Sequence, residues 1–205
     1  MSFETRLITN YMDCYRDLVP FQNIQGLSTL FDFYLIGDGP FQLIQNRRPE
    51  YWEVAFIPKH EVAFNHHSFP GLKDRPVYGQ YFYKEEGCTI RFQSGQSLWK
   101  RYGDGTEFSS RGLARMGLFN INCAALRMNA DIIPGEYTEI DYPFQYTKAF
   151  ESALFNKQLS LSPMRRGIDR SDKAVEWISK MSEKFLRENK RWSLSSSLSK
   201  LLEER

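Results

Sequence analysis

The sequence predicts an α+β protein: a central curved antiparallel sheet of about six to eight strands, with an N-terminal helix and C-terminal helices packed on one face. Stretches near both ends repeat apolar residues at steps of three and four, the spacing of one helical face. Between them, from about residue 28 to 108, apolar residues alternate or form short runs rich in aromatic and β-branched side chains. The breaks between most of those runs are too short for a parallel crossover, which takes a dozen residues or more, so neighbouring strands are expected to be antiparallel.

Phe3, Leu7, Tyr11, Cys14 and Leu18 define the first helix, over about 3–18, which Pro20 stops. The strand-like runs follow: "TLFDFYLIG", "PFQLIQ", "YWEVAFI", "EVAFN", "VYGQYFYK", "CTIRFQ" and "SLWKRY". "KEEGC" and "YGDGTEF" read as hairpin turns, and "IGDGPF" as a third, with Gly39 before Pro40. Ala114, Leu118, Ile121, Ala125 and Met128 form a helical stripe, so 111–128 is expected to be helix, although Gly112 and Gly117 each cost it about 1 kcal/mol relative to alanine. "IIPGEYTEIDYP" predicts a turn and one more strand, and "PFQYTKAFESALFNKQL" a short helix opened by Pro143. After a linker at "SLSPMRRGIDR", the strongest helix covers 172–192. Ser171 stands at its cap, and Ala174, Trp177, Ile178, Met181, Phe185 and Trp192 share one side. The expected division is an α+β core domain over 1–163 and a linker plus basic amphipathic helical tail over 164–205.

The 205 residues carry a net charge of +2, unevenly spread: residues 164–205 hold eleven basic groups against seven acidic, whereas 1–99 hold nine against eleven. Cys14, Cys88 and Cys123 are odd in number and lack the C-x-x-C spacing of metal and redox sites, so they read as buried reduced thiols. No apolar run reaches the ~18 residues of a membrane span, and the N-terminus lacks a signal core. A soluble cytoplasmic protein with no membrane partner is therefore expected. Aromatic residues make up 15% of the chain, a surplus that points to a binding surface as well as a core.

All three histidines, His60, His66 and His67, fall within "HEVAFNHHSFPG". On a strand, His60 and His66 share a face but lie about 20 Å apart at ~3.3 Å per residue. On a helix, the ligand position four after His60 is Phe64. Neither arrangement holds one metal, so no metal site and no cofactor is expected. His66 or His67 with Asp74 as an acid/base pair, and Arg75 holding an anionic group, would make a small intracellular hydrolase or transferase acting on an anionic substrate. Ser94 has glutamine where a G-x-S-x-G elbow needs glycine. The glycines of "IGDGPF" and "YGDGTEF" are expected to be turns, since no helix is predicted after either to help hold an anion. Arg47 and Arg48 fall in a loop. Arg165, Arg166, Arg170 and Trp192 are binding candidates around the tail helix, yet five acidic residues are interleaved over 164–191. Nucleic-acid binding through that basic helix is thus a third reading and not the favoured one.

The favoured reading is a non-catalytic binding or assembly protein, recognising a protein partner or itself through an aromatic-rich sheet surface and the C-terminal amphipathic helix. A component of a larger particle, viral or phage-like, is compatible with it. No motif identifies a family. The position of helix 172–192 decides whether that helix is a core element or an interaction arm.

Overall fold

The computed structural model describes residues 2–17, 26–60, 73–75, 80–85, 88–128, 143–163 and 171–203. Strands β1 (Phe31–Ile36), β2 (Tyr51–Pro58), β3 (Lys73–Arg75), β4 (Gln80–Glu85), β5 (Cys88–Ser94), β6 (Ala124–Arg127) and β7 (Phe144–Tyr146) form one sheet. Their order is β3-β4-β5-β2-β1-β6-β7. Every pairing is antiparallel except β2 with β5, which run parallel with Tyr51 opposite Thr89 and Glu53 opposite Arg91. That pair departs from the all-antiparallel expectation because β2 and β5 are not joined by a tight turn. The chain between them contains β3 and β4, long enough for a crossover. The β4–β5 hairpin at Glu85 and Cys88 is as the sequence implied.

One face of the sheet carries the main core. Phe31, Phe33 and Leu35 of β1, Trp52, Val54 and Phe56 of β2, Ile90 and Phe92 of β5, and Ala124 and Leu126 of β6 alternate onto it and are buried. Helix α1 (Phe3–Asp17) packs Leu7, Ile8 and Tyr11 there, and the Tyr11 hydroxyl donates to the Met128 carbonyl at 2.9 Å. Helices α5 (Lys148–Asn156), α6 (Asp172–Glu188) and α7 (Ser196–Glu203) add Phe150, Ile178 and Leu198 to the same cluster. The α+β class and the gathering of terminal helices on one face thus hold. Helix α6 buries Val175, Ile178 and Ser182. Its Phe185 meets Phe41 and Trp192, with ring centroids 5.5 and 5.2 Å apart. It is a packed element of the fold and not a projecting arm. A second, two-stranded parallel sheet, β8 (Gln158–Leu159) with β9 (Ser193–Leu194), ties the chain after α5 to the chain after α6.

Three expected elements are different. "PFQLIQ" is helix α2 (Gly39–Ile44), started by Pro40 in its first turn, where the missing N–H costs nothing. "SLWKRY" is helix α3 (Gly95–Tyr102), capped by the Ser94 hydroxyl, which accepts from the Ser97 amide. The helix expected over 111–128 breaks into a single turn, α4 (Ser110–Leu113), a 3-10 turn at Asn120–Asn122, and β6. The asparagines compete with helical bonding: Asn120 Oδ1 accepts from the amides of Ile121 and Ser160, each at 3.0 Å, and Asn122 Oδ1 from Phe119 at 3.1 Å. The short helix foreseen at 143–159 is preceded by β7 and opened by Thr147, whose hydroxyl accepts from the Phe150 amide. The strands expected at "EVAFN" and within 132–143 lie outside the described residues.

All three cysteines are buried. Among the described residues no helix is long and apolar enough to cross a membrane.

Candidate functional site

The second face of the sheet is only partly covered. Helices α3 and α4 lay Trp99 and Leu113, with Met116 beyond, over Tyr34, Ile36, Ala55 and Ala125. Beyond their edge the face opens into a cleft of about 1350 Å³, floored by β2 and β5 and walled by α3 and α6. Strand alternation decides what faces it. With Trp52 and Val54 in the core, Tyr51 and Glu53 point the other way, and with Ile90 and Phe92 in the core, so do Arg91 and Gln93.

The parallel register sets Glu53 directly beside Arg91, and their side chains form an ion pair, each about a quarter exposed. The Arg91 guanidinium also lies 5.6 Å from the centroid of the Tyr51 ring, within cation–π range. Its Nε is buried with no hydrogen-bond partner among the described residues. On the other side of Glu53 stands Gly37, at φ +68°, and a Cβ there would collide with the Glu53 carboxylate. Glycine is needed twice over, for the left-handed turn from β1 into α2 and for the room it leaves.

Asp38 follows, at the mouth of α2, and accepts a hydrogen bond from the Asn122 carboxamide. The residue is exposed in the cleft lining, with protein atoms crowded around it. That enclosure pushes its pKa above the usual aspartate value, with Glu188 adding to the push and the Asn122 amide and Lys184 opposing it. The "IGDGPF" turn is followed by a helix after all, which corrects the expectation that it joins two strands.

Around this floor the cleft gathers Arg47, Arg48, Arg91, Lys100, Arg101 and Lys184, six cations against the four carboxylates Asp38, Glu50, Glu53 and Glu188. Arg47 reaches across to donate to the Glu188 carbonyl at 3.1 Å, fastening its loop to the end of α6. Two large rings stand open in the lining, Tyr51 at 41% exposure and Trp177 at 52%. Cations beside exposed aromatic rings can hold phosphates and stack bases.

The residues singled out from sequence fall elsewhere. His66 and His67 lie outside the described residues, as do Arg165, Arg166 and Arg170, and His60 is exposed just after β2. Asp74 and Arg75 are on β3, the edge strand, paired with Tyr81 and Gln80. Trp192 is half-buried, edge-on to Phe41 at 5.3 Å. Among the described residues weighed from sequence, the Arg47–Arg48 pair, noted as a loop feature, and Ser94 line the cleft. Tyr51, Glu53, Arg91, Asp38 and Trp177 were missed as a site. The available signal was a charged residue at an outward position of two strands, Glu53 and Arg91.

No family model matches the chain, and no curated protein matches it. Solved structures do share the fold. A CCA-adding enzyme in complex with CTP superposes with a TM-score of 0.61 at 12% identity, over 100% of this chain and 46% of that one. A Thermotoga maritima CCA-adding enzyme complexed with tRNA gives 0.56 at 14%, over 94% and 41%. A tRNA nucleotidyltransferase complexed with a primer tRNA and an incoming ATP analog gives 0.54 at 14%, over 85% and 46%. The chain spans less than half the length of each, and identities this low establish the fold alone. They count against the reading as a non-catalytic assembly component built for protein–protein interaction: the similar structures are CCA-adding and tRNA-processing enzymes.

Phosphoryl transfer to nucleic acid generally employs divalent ions held by converging carboxylates. The donor set here does not fit such a pair. Glu53 is committed to Arg91 and Asp38 to Asn122, and the residue two before Glu53 on the same strand face is the phenol Tyr51. Among the described residues no three His, Cys, Asp or Glu side chains come together as a metal-holding group.

Proposed function

We propose that this chain takes part in nucleic-acid processing by holding a nucleoside triphosphate and the end of an RNA strand in the cleft between β2, β5, α3 and α6. The observation that carries the reading is the lining itself: six cationic side chains and two exposed aromatic rings on the polar face of a sheet whose other face is sealed by core. That composition suits a phosphate-bearing ligand with unpaired bases, since rings stack on bases whatever their sequence and cations neutralise the backbone. The fold comparison supports the same ligand class, because the similar structures include complexes with CTP, ATP and tRNA.

Within this reading Arg47, Arg48, Lys100 and Arg101 bind phosphates around the rim, Tyr51 and Trp177 stack bases, and Arg91 waits on the floor. This places nucleic acid among the partners in preference to a protein, and assigns its binding to the cleft instead of the tail helix alone. Titration of the full chain with ATP, CTP and a short single-stranded RNA, over a series of salt concentrations, tests the proposal. Saturable binding that weakens steadily as salt rises is the expected result. Absence of binding to all three at low salt would show the reading to be wrong.

A further inference from the structure

We infer that the cleft binds nucleotide phosphate through Arg91 without a divalent metal, and that Glu53 is an internal competitor that holds the guanidinium until phosphate displaces it. The inference rests on the nucleotide-binding reading and specifies how the floor of that site works.

Three features of the floor lead to it. First, Glu53 and Arg91 are direct neighbours across the parallel β2–β5 register, so the backbone, and not a long flexible reach, sets their contact. A divalent ion at Glu53 would have to break this pair and then sit beside an uncompensated guanidinium, which repels it. Second, Arg91 is only partly covered: its unpartnered Nε is buried, but the side chain keeps a quarter of its surface open to the cleft. Guanidinium offers two parallel donors that match a phosphate's two oxygens, so a phosphate can engage the face of Arg91 that Glu53 leaves unfilled. Third, the Tyr51 ring lies against the guanidinium at 5.6 Å and limits where it can swing. The cation therefore stays on the cleft floor when Glu53 lets go. The rim cations add to the same field, so anions are drawn to this floor.

The sign of a single substitution separates this from a metal site. Removing the charge in Glu53→Gln frees Arg91 and removes a repulsion, so ATP should bind about threefold to tenfold more tightly, as expected for removing a like charge close to a bound anion. A metal ligand treated the same way would bind ATP more weakly. The experiment is calorimetric titration of ATP into the intact wild-type chain, E53Q and R91A, each in excess EDTA and again in excess magnesium, with thermal melts to confirm folding. The expected outcome is wild-type binding in EDTA at least as tight as in magnesium, strengthened in E53Q and weakened about tenfold or more in R91A. If R91A does not fold, R91K, which keeps the charge but loses the paired donors, takes its place and should weaken binding. Binding that needs magnesium, or that E53Q weakens, overturns the inference while leaving the cleft as the nucleotide site. No binding under either condition overturns the nucleotide-binding reading itself.

Discussion

The two faces of the central sheet are built from the same strands and do opposite work. On one, Phe33, Trp52, Val54, Ile90 and Phe92 are fully buried in a cluster shared with residues of five helices, α1, α2, α5, α6 and α7. On the other, one residue along the same strands, stand Asp32, Glu53 and Arg91, and from β6 Arg127. Charges on that face pair with each other before anything else: Glu53 with Arg91, and Asp32 with Arg127 at 2.8 Å and with Lys59 at 3.4 Å. The contrast shows how a period of two divides labour. The inward set holds the main core together, while the outward set is divided between a smaller core under Trp99 and Leu113 and the charged stretch that stays open.

Substitutions that respect the division should separate stability from binding. The largest effect is expected at Phe33→Ala, which empties a ring site in the core and should cost about 3–5 kcal/mol in denaturant unfolding, lowering nucleotide affinity only through loss of folded protein. Gly37→Ala sits at the seam between the two roles. Its positive φ and the collision with Glu53 should cost about 1–3 kcal/mol, and should alter ATP binding as well, since the carboxylate must move. Arg48→Ala with Lys100→Ala should leave stability within about 0.5 kcal/mol of wild type, yet flatten the salt dependence of RNA binding by about 0.7 in the log–log slope per lost cation.

The smallest effect concerns pH. Because the Asp38 carboxyl is held above its ordinary value, the folded chain takes up that proton more readily than the unfolded chain. This site therefore favours the folded state increasingly as pH falls through the window just above the usual aspartate range, and loses that contribution as pH rises. Protonation also removes a negative charge from the cleft, so ATP binding should tighten over the same fall. Asp38→Asn, which can still accept the Asn122 bond, should flatten both profiles.

Much of the inward face was legible in the sequence. The alternation in "YWEVAFI" and "CTIRFQ" gives Trp52, Val54, Ile90 and Phe92 to the core, and the helical stripes at both ends give α1 and α6. Strand β6 was not legible, because it runs between β1 and β7 with Ala124 and Leu126 buried on one side and Ala125 on the other. A strand buried on both faces shows no alternation, and its apolar residues fell by chance at helical spacing. The cleft was missed for a different reason. Each of its residues is ordinary alone, and the parallel register that puts Glu53 beside Arg91 depends on a crossover that local pattern does not encode. The closeness of the three histidines in sequence says little about convergence in space.

The claim that the open face is a site for unpaired nucleotides is tested most directly by intrinsic fluorescence. Of the four tryptophans, Trp52 and Trp99 are buried, Trp192 is packed against Phe41 and Phe185, and Trp177 stands half open in the cleft. Titration with a short single-stranded RNA should quench the emission saturably in the wild-type chain. In Trp177→Phe, which keeps a stacking ring, the RNA should still bind by an independent measure such as anisotropy of a labelled strand, while the quench disappears. A quench of undiminished size in Trp177→Phe would place the RNA away from the cleft and contradict the account.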